Sequence, residues 1–205
     1  PFPPVFTAIC QAIKRCVPGA AVGGCGLSVA ISEEKFKALL AAWTMEACRP
    51  DFISINLYPY ARMDLPGELR AKRRFNTDSH YKEEVLNNRS LIDACGWTGM
   101  PLYVVDWNIS MSQRNPFNDT CGKAALMVQR MVSLSDVVDF SAYSGLSDYC
   151  GLYYNTNALL MGGSGLMTAT GVPKPAYYAL QFMSRLGKYM VKRDESYMVT
   201  TNGDR

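Results

Sequence analysis

Asp106 is the residue of this chain best placed to do chemistry. The run Leu102-Tyr103-Val104-Val105 leads directly into it, and Trp107-Asn108-Ile109-Ser110 follows at once. A continuous apolar run bounded by turn signals is the pattern of a strand buried on both faces, as in a parallel sheet. A carboxylate where such a run ends sits at the strand's C-terminal edge, the side on which β/α barrels gather reactive groups. There it can serve as a nucleophile or a hydrogen-bond acceptor. The alternative is an aspartate that caps the loop after the strand.

Other chemistries find less support. His80 is the single histidine, so a Ser/His/Asp triad or a histidine-based metal site would depend on it entirely. It falls in an expected helix beside a basic loop, which reads as a surface position. The seven cysteines (10, 16, 25, 48, 95, 121 and 150) form no CxxC pair, so neither a zinc site nor a redox motif is expected. Cys10, Cys48, Cys95 and Cys121 fall in expected helices, where small buried thiols are the default. A reducing, cytoplasmic setting follows as the expectation. No metal and no organic cofactor is expected.

The 205 residues suffice for one domain with a sizeable core, and 48% hydrophobic with 19% charged is ordinary globular composition. Net charge is +3. The densest basic cluster, Arg70-Ala71-Lys72-Arg73-Arg74, stands alone and reads as a solvated loop rather than a nucleic-acid patch. No apolar run is long enough to span a bilayer and no signal-peptide pattern opens the chain, so no membrane partner is expected. The first residue is Pro rather than Met, so the expectation is a piece excised from something longer.

The elements that must position Asp106 follow from periodicity and punctuation. Residues 4–16 predict a helix, with Val5, Ile9 and Ile13 at four-residue spacing and Pro18-Gly19 as the stop. A short strand at 21–27 leads into glycines. A helix opens at Ser32, with Glu33 and Glu34 in its first turn, and runs to about Cys48. A strand covers 52–58, a polar loop about 60–76, and a helix about 78–94. The strand 102–107 comes next, then a helix capped within Asn118-Asp119-Thr120 that ends near Ser133. A strand at 137–143 follows. A long loop with Gly162-Gly163-Ser164-Gly165 precedes a last helix, from Pro175 to near Gly187, and 197–201 reads as one more strand outside the pattern. Alternation of strands with helices of this length implies parallel pairing with right-handed crossovers. The fold class is α/β: the C-terminal half of a (β/α)8 TIM barrel, four parallel β/α units plus a short C-terminal strand. Residues 1–190 form the half barrel and 191–205 the start of a following β segment.

Together these segments resemble glycoside hydrolase family 39, the β-xylosidase-like barrels. Asp51-Phe52-Ile53-Ser54-Ile55-Asn56-Leu57-Tyr58-Pro59-Tyr60 is similar to the family's sixth barrel strand. Leu102–Ser110 is similar to its seventh, and Val138–Asp148 to its eighth. Gly162-Gly163-Ser164-Gly165-Leu166 and Lys174-Pro175-Ala176-Tyr177-Tyr178 resemble its glycine loop and the entry to its last helix. A narrower resemblance joins Trp107-Asn108, Ser112-Gln113-Arg114-Asn115, Asn118-Asp119 and the tail Tyr197–Gly203 to AraC-type transcriptional regulators of Firmicutes. Those carry such a barrel after a DNA-binding module, which this chain lacks.

The resemblance implies that Asp106 stands at the nucleophile position, where the family has Glu. It also implies that the family's acid/base, a Glu preceded by Asn, would lie upstream of residue 1. A retaining glycosidase uses two carboxyls about 5–5.5 Å apart. Exchanging Glu for Asp draws the carboxylate back by roughly 1.5 Å, and a misplacement of about 1 Å can cost on the order of 10²-fold in rate. Holding a sugar hydroxyl is less demanding, since a water can bridge.

Six more residues are candidates for contact with sugar. Asn56 and Tyr58 share a strand face by period two, with an amide and a hydroxyl suited to sugar oxygens; Asn56 could equally bond to backbone. Trp107 offers a flat face for a pyranose, or packs outward under a helix because residues alternate along a strand. Asn108 belongs to the same segment. Tyr143 and Asp148 lie on and after the last strand, and Asp148 could instead organise its own loop. Gly162–Gly165 either lets backbone approach a ligand or is a plain turn.

The function expected is carbohydrate recognition by a glycosidase-like domain, the sugar-sensing or catalytically weakened module of an AraC-type regulator. The competing expectation is a retaining β-glycosidase of xylosidase type whose acid/base lies in the missing half. The ligand is a sugar or oligosaccharide, and DNA is met only through a module outside this chain. Four strands that close on nothing leave unpaired edges and an uncovered apolar face, so self-association or pairing with the missing half-barrel is also expected.

Overall fold

The structure, a computed structural model, describes residues 2–27, 32–63, 72–75, 80–110, 112–148, 158–194 and 197–203. In chain order its elements are α1 (Phe2–Cys16), β1 (Gly24–Leu27), α2 (Glu33–Thr44), β2 (Ile53–Leu57), β3 (Tyr60–Met63) and β4 (Lys72–Phe75). They continue with α3 (His80–Ala94), β5 (Leu102–Trp107), a 3-10 turn (Pro116–Asp119), α4 (Cys121–Leu134), β6 (Phe140–Tyr143), α5 (Pro175–Met183), β7 (Tyr189–Arg193) and β8 (Met198–Thr201). The main sheet has the order β1-β2-β5-β6, with β1–β2 and β2–β5 paired in parallel. This is the strand order of consecutive β/α units, and the expected α/β half-barrel architecture is present. The chain divides into two compact units, Pro1–Trp107 with Val137–Ala142, and Asn108–Asp136 with Tyr143–Arg205.

In the first unit, Ser32 caps α2 by accepting from the Lys35 amide at 3.4 Å. The core gathers Phe6, Leu40, Trp43, Ile53, Ile55, Leu57, Val85, Ile92, Leu102, Val104 and Trp107. The carboxylate of Asp139 fastens the start of β5, accepting from the Leu102 amide at 2.8 Å and from Arg89 Nη2 at 3.0 Å. Burial works against ionisation of Asp139, but that amide and guanidinium outweigh it and hold the carboxyl below its usual range.

Three sequence expectations are corrected in this unit. The row Val5, Ile9, Ile13 that announces α1 is exposed, while Pro3, Phe6 and Cys10 are buried. The helix carries two apolar rows, and the one with the aromatic ring packs, Phe6 lying edge-on to Trp43 at 5.0 Å. The expected polar loop at 60–76 contains an antiparallel pair, β3 with β4, which includes Lys72, Arg73 and Arg74; Arg70 and Ala71 lie outside the described residues. Finally, α2 stops at Thr44, which leaves Cys48 beyond it, bonded to Cys10 as a disulfide rather than a buried thiol.

In the second unit α4 is capped by Thr120, whose side chain accepts from the Lys123 amide at 3.4 Å. Cys121, expected to be buried, opens α4 as an exposed free thiol. The expected strand near 197–201 is β8, and it pairs antiparallel with β7, which periodicity had not revealed. Cys150 lies outside the described residues.

Candidate functional site

Along strand β2, Ile53, Ile55 and Leu57 are buried at 0%, 2% and 1% exposure; between them Ser54 is buried as well and Asn56 is half-buried, on the opposite face by period two. Strand β5 pairs with it as Ile53–Leu102, Ser54–Tyr103, Ile55–Val104, Asn56–Asp106 and Leu57–Trp107. Val105 is passed over, a β-bulge of one residue. Unbroken period-two alternation from Leu102 would put Asp106 on the buried row and Trp107 on the opposite face. The bulge exchanges them, because a one-residue slip reverses every later side chain. Trp107 therefore continues the row of Leu102 and Val104 at 1% exposure, a packing position rather than an open stacking face.

Asp106 thereby joins the face of Asn56 and Tyr58. The Tyr58 hydroxyl donates to Asp106 Oδ1 at 2.7 Å. Both residues are half-buried and stand at the C-terminal ends of neighbouring parallel strands, where barrels place their chemistry. The bond fixes one carboxylate oxygen and leaves Oδ2 without a protein donor among the described residues. Asn56 Oδ1 is buried with no hydrogen-bond partner among the described residues. It is an unmet acceptor in register with Asp106, and a buried acceptor of this kind calls for a water or a ligand hydroxyl.

The second unit holds the other candidates, and there they organise structure. Asn108, 1% exposed, donates from Nδ2 to the carbonyls of Ser144 at 3.0 Å and Ser164 at 3.2 Å. The Tyr143 hydroxyl donates to the same Ser164 carbonyl at 2.8 Å. Asp148 is the loop organiser that the sequence left as an alternative: Oδ1 accepts from the Gly165 amide at 3.0 Å and from Lys174 Nζ at 2.9 Å. Lys174 also pairs with Asp119 at 2.6 Å and donates to the Gly163 carbonyl at 2.7 Å.

The glycines of this loop answer to packing. A Cβ on Gly163 would lie 2.3 Å from Asp148 Cγ, and one on Gly165 would lie 2.3 Å from the Ser147 carbonyl carbon. Sequence reasoning missed Lys123 and Gln113. Lys123 is fully buried and donates to the Ser164 carbonyl at 3.0 Å. Gln113 brackets Ser164, accepting from its amide at 3.0 Å and donating to its Oγ. Lysine among the small residues of α4 was the available signal.

Among the described residues no group of three His, Cys, Asp or Glu could hold a metal ion. No helix among them is long and apolar enough to cross a membrane.

A family model, "Glycosyl hydrolases family 39", matches residues 2–203. The chain is 32% identical over 122 residues to a beta-xylosidase of Geobacillus stearothermophilus, which covers 60% of this chain and 24% of that protein. It is 30% identical over 91 residues to one of Caldicellulosiruptor saccharolyticus, covering 42% of this chain and 18% of that protein. The crystal structure of a monomeric beta-xylosidase from Caulobacter crescentus superposes with a TM-score of 0.82 at 23% identity. It covers 98% of this chain and 41% of its own, and so speaks to fold alone. The chain thus spans no more than a quarter of these two relatives and about two fifths of that solved structure.

Proposed function

The chain belongs to glycosyl hydrolase family 39, and from that premise we propose that it supplies the nucleophile side of a retaining β-glycosidase acting on xylose-type sugars. The observation that carries this is the 2.7 Å Tyr58–Asp106 bond at the ends of adjacent parallel strands. In this reading Asp106 Oδ2 attacks the anomeric carbon as its bond to the leaving oxygen breaks. The leaving oxygen takes a proton from a second carboxyl, and water then releases the sugar from the ester so formed. That second carboxyl would come from residues upstream of this chain. Asn56 gives a sugar hydroxyl its acceptor. The reaction as written uses two carboxyls and water, with no cofactor.

The experiment is turnover of an aryl β-xyloside by the longer protein that carries this chain together with the residues upstream of it, and by its Asp106→Asn variant. Loss of nearly all turnover in the variant is expected, and unchanged turnover would end this assignment.

A second reading keeps the sugar and drops the turnover: the sensing module of an AraC-type regulator, cytoplasmic, meeting DNA only through another module. The short reach of an aspartate is the observation in its favour, since recognition tolerates a gap that attack does not. The relatives found are glycosidases, which favours the first reading. The Cys10–Cys48 bond also suits an oxidising compartment better than a cytoplasm. Calorimetric binding of xylose without turnover, unimproved by Asp106→Glu, would support the second.

In either case β7 and β8 are read as belonging to the β segment that follows the barrel portion ending near residue 190. The uncovered sheet face, with Phe140 52% and Val105 37% exposed, is covered by the first half of the barrel or by a second copy. A monomeric mass of the 205-residue chain by light scattering at micromolar concentration would count against self-association.

A further inference from the structure

Lys123 is a buried cation with no carboxylate of its own. It is 0% exposed, on the inner row of α4 with Met127, Arg130 and Leu134. Among the described residues its Nζ makes one hydrogen bond, to the Ser164 carbonyl, and it sits 5.5 Å above the Tyr143 ring. Both nearby carboxylates are engaged elsewhere: Asp148 and Asp119 pair with Lys174, at 2.9 Å and 2.6 Å. The groups facing Lys123 are therefore Asp119 from the 3-10 turn, Asp148 after β6, Lys174 ahead of α5 and Tyr143 of β6. On α4 itself the next charge on the same row is Arg130, two turns on.

A buried ammonium with only a neutral acceptor prefers to lose its proton; the positive charge of Lys174 adds to that preference, and the weaker pull of Asp148 and Asp119 opposes it without reversing it. As a free amine Lys123 still donates to Ser164. Its carbonyl is where Asn108, Tyr143 and Lys123 converge. The amides of the same loop lean on side chains. Gly162 donates to Asp119 Oδ2 at 2.8 Å, Ser164 to Gln113 Oε1 at 3.0 Å and Gly165 to Asp148 Oδ1 at 3.0 Å.

We infer that Lys123 is a proton-linked positioning residue for the 162–165 loop: uncharged it seats the loop tightly, and taking up a proton loosens it. The direction follows from linkage. When the loop opens, Lys123 reaches water and regains an ordinary lysine affinity for protons, so opening takes up a proton wherever the closed form lacks one. Burial pushes the closed-state value down to about 7 from 10.5. Opening is therefore suppressed as pH rises between those limits, by up to about tenfold per pH unit, and is independent of pH below about 7.

Amide hydrogen exchange of Gly162, Ser164 and Gly165 in the full chain tests this, with rates corrected for intrinsic base catalysis. Wild type should gain roughly 50-fold protection from pH 7 to pH 9. Lys123→Met should abolish the pH dependence. Lys123→Arg, which stays charged, should leave the loop poorly protected at every pH. Flat protection in wild type, or the same slope in Lys123→Met, overturns the inference. Should Lys123→Met fail to fold, carbon-13 labelled lysine in wild type decides. One lysine titrating near 7 and lost in Lys123→Arg sustains the inference, and all titrating above about 10 refutes it.

Discussion

Replacing Tyr58 with Phe removes one oxygen and keeps the ring, so it removes the hydrogen bond to Asp106 on which the site is built, and the Asp106→Asn background separates that bond from anything else the hydroxyl does. The bond is 2.7 Å from hydroxyl to Asp106 Oδ1, the length expected for a charge-assisted O–H···O⁻ contact. Bonds of that kind contribute about 1.5–3 kcal/mol net, and a half-exposed pair belongs near the lower figure. A loss of about 1.5 kcal/mol corresponds to roughly tenfold. The assay is a four-member cycle of wild type, Tyr58→Phe, Asp106→Asn and the double variant. It reads kcat/KM on an aryl β-xyloside, or the Kd for xylose if turnover is absent. Tyr58→Phe should lose about tenfold alone and less than about threefold in the Asp106→Asn background, where no charge remains to be held. Equal losses in both backgrounds would show that the hydroxyl acts independently of the carboxylate, and no loss in wild type would show that the pair does not touch the sugar. Either outcome refutes the reasoning.

Reducing the Cys10–Cys48 bond, which closes a 38-residue separation, should lower unfolding free energy by up to about 4 kcal/mol on the chain-entropy account. Urea titrations with and without reductant, beside a Cys48→Ser variant, measure it. Gly165→Ala drives a Cβ into the Ser147 backbone and should cost on the order of 2–3 kcal/mol, read the same way. Asp139→Ala strips the acceptor from the Leu102 amide and should destabilise by about 1 kcal/mol, discounted because the carboxylate is half exposed. Since the folded pKa of Asp139 is depressed, its contribution is present above the unfolded carboxyl value and fades as pH falls through the folded one. The wild-type minus Asp139→Ala stability difference should therefore shrink in acid. A constant difference down to about pH 2 would contradict the assignment.

Strand β5 was readable to the residue, because an apolar run closed by Asp-Trp-Asn has sharp ends. The cap Ser32 and the helix entry at Pro175 were equally legible, since both are local chemistry. The buried row of α1 was not: Val5, Ile9 and Ile13 and the row of Pro3, Phe6 and Cys10 are both apolar, and only the neighbouring Trp43 selects between them. The role of Asp148 was left open for a related reason. Its partners Lys174 and Gly165 lie 26 and 17 residues away, and no spacing rule connects them.

The amino-acid order alone determined the alternation of strands and helices, the parallel sheet it implies, and an acid at the edge of the third main strand. Those are consequences of periodicity and punctuation, which act over a few residues. Which way that acid faces was decided only by pairing. Val105 is skipped opposite β2, so Asp106 meets Asn56 and Tyr58 while Trp107 turns into the core. A bulge is a property of two strands in register. Its energy lies in burying Trp107 beside Leu57, a contact between residues 50 positions apart, and local sequence carries no record of it.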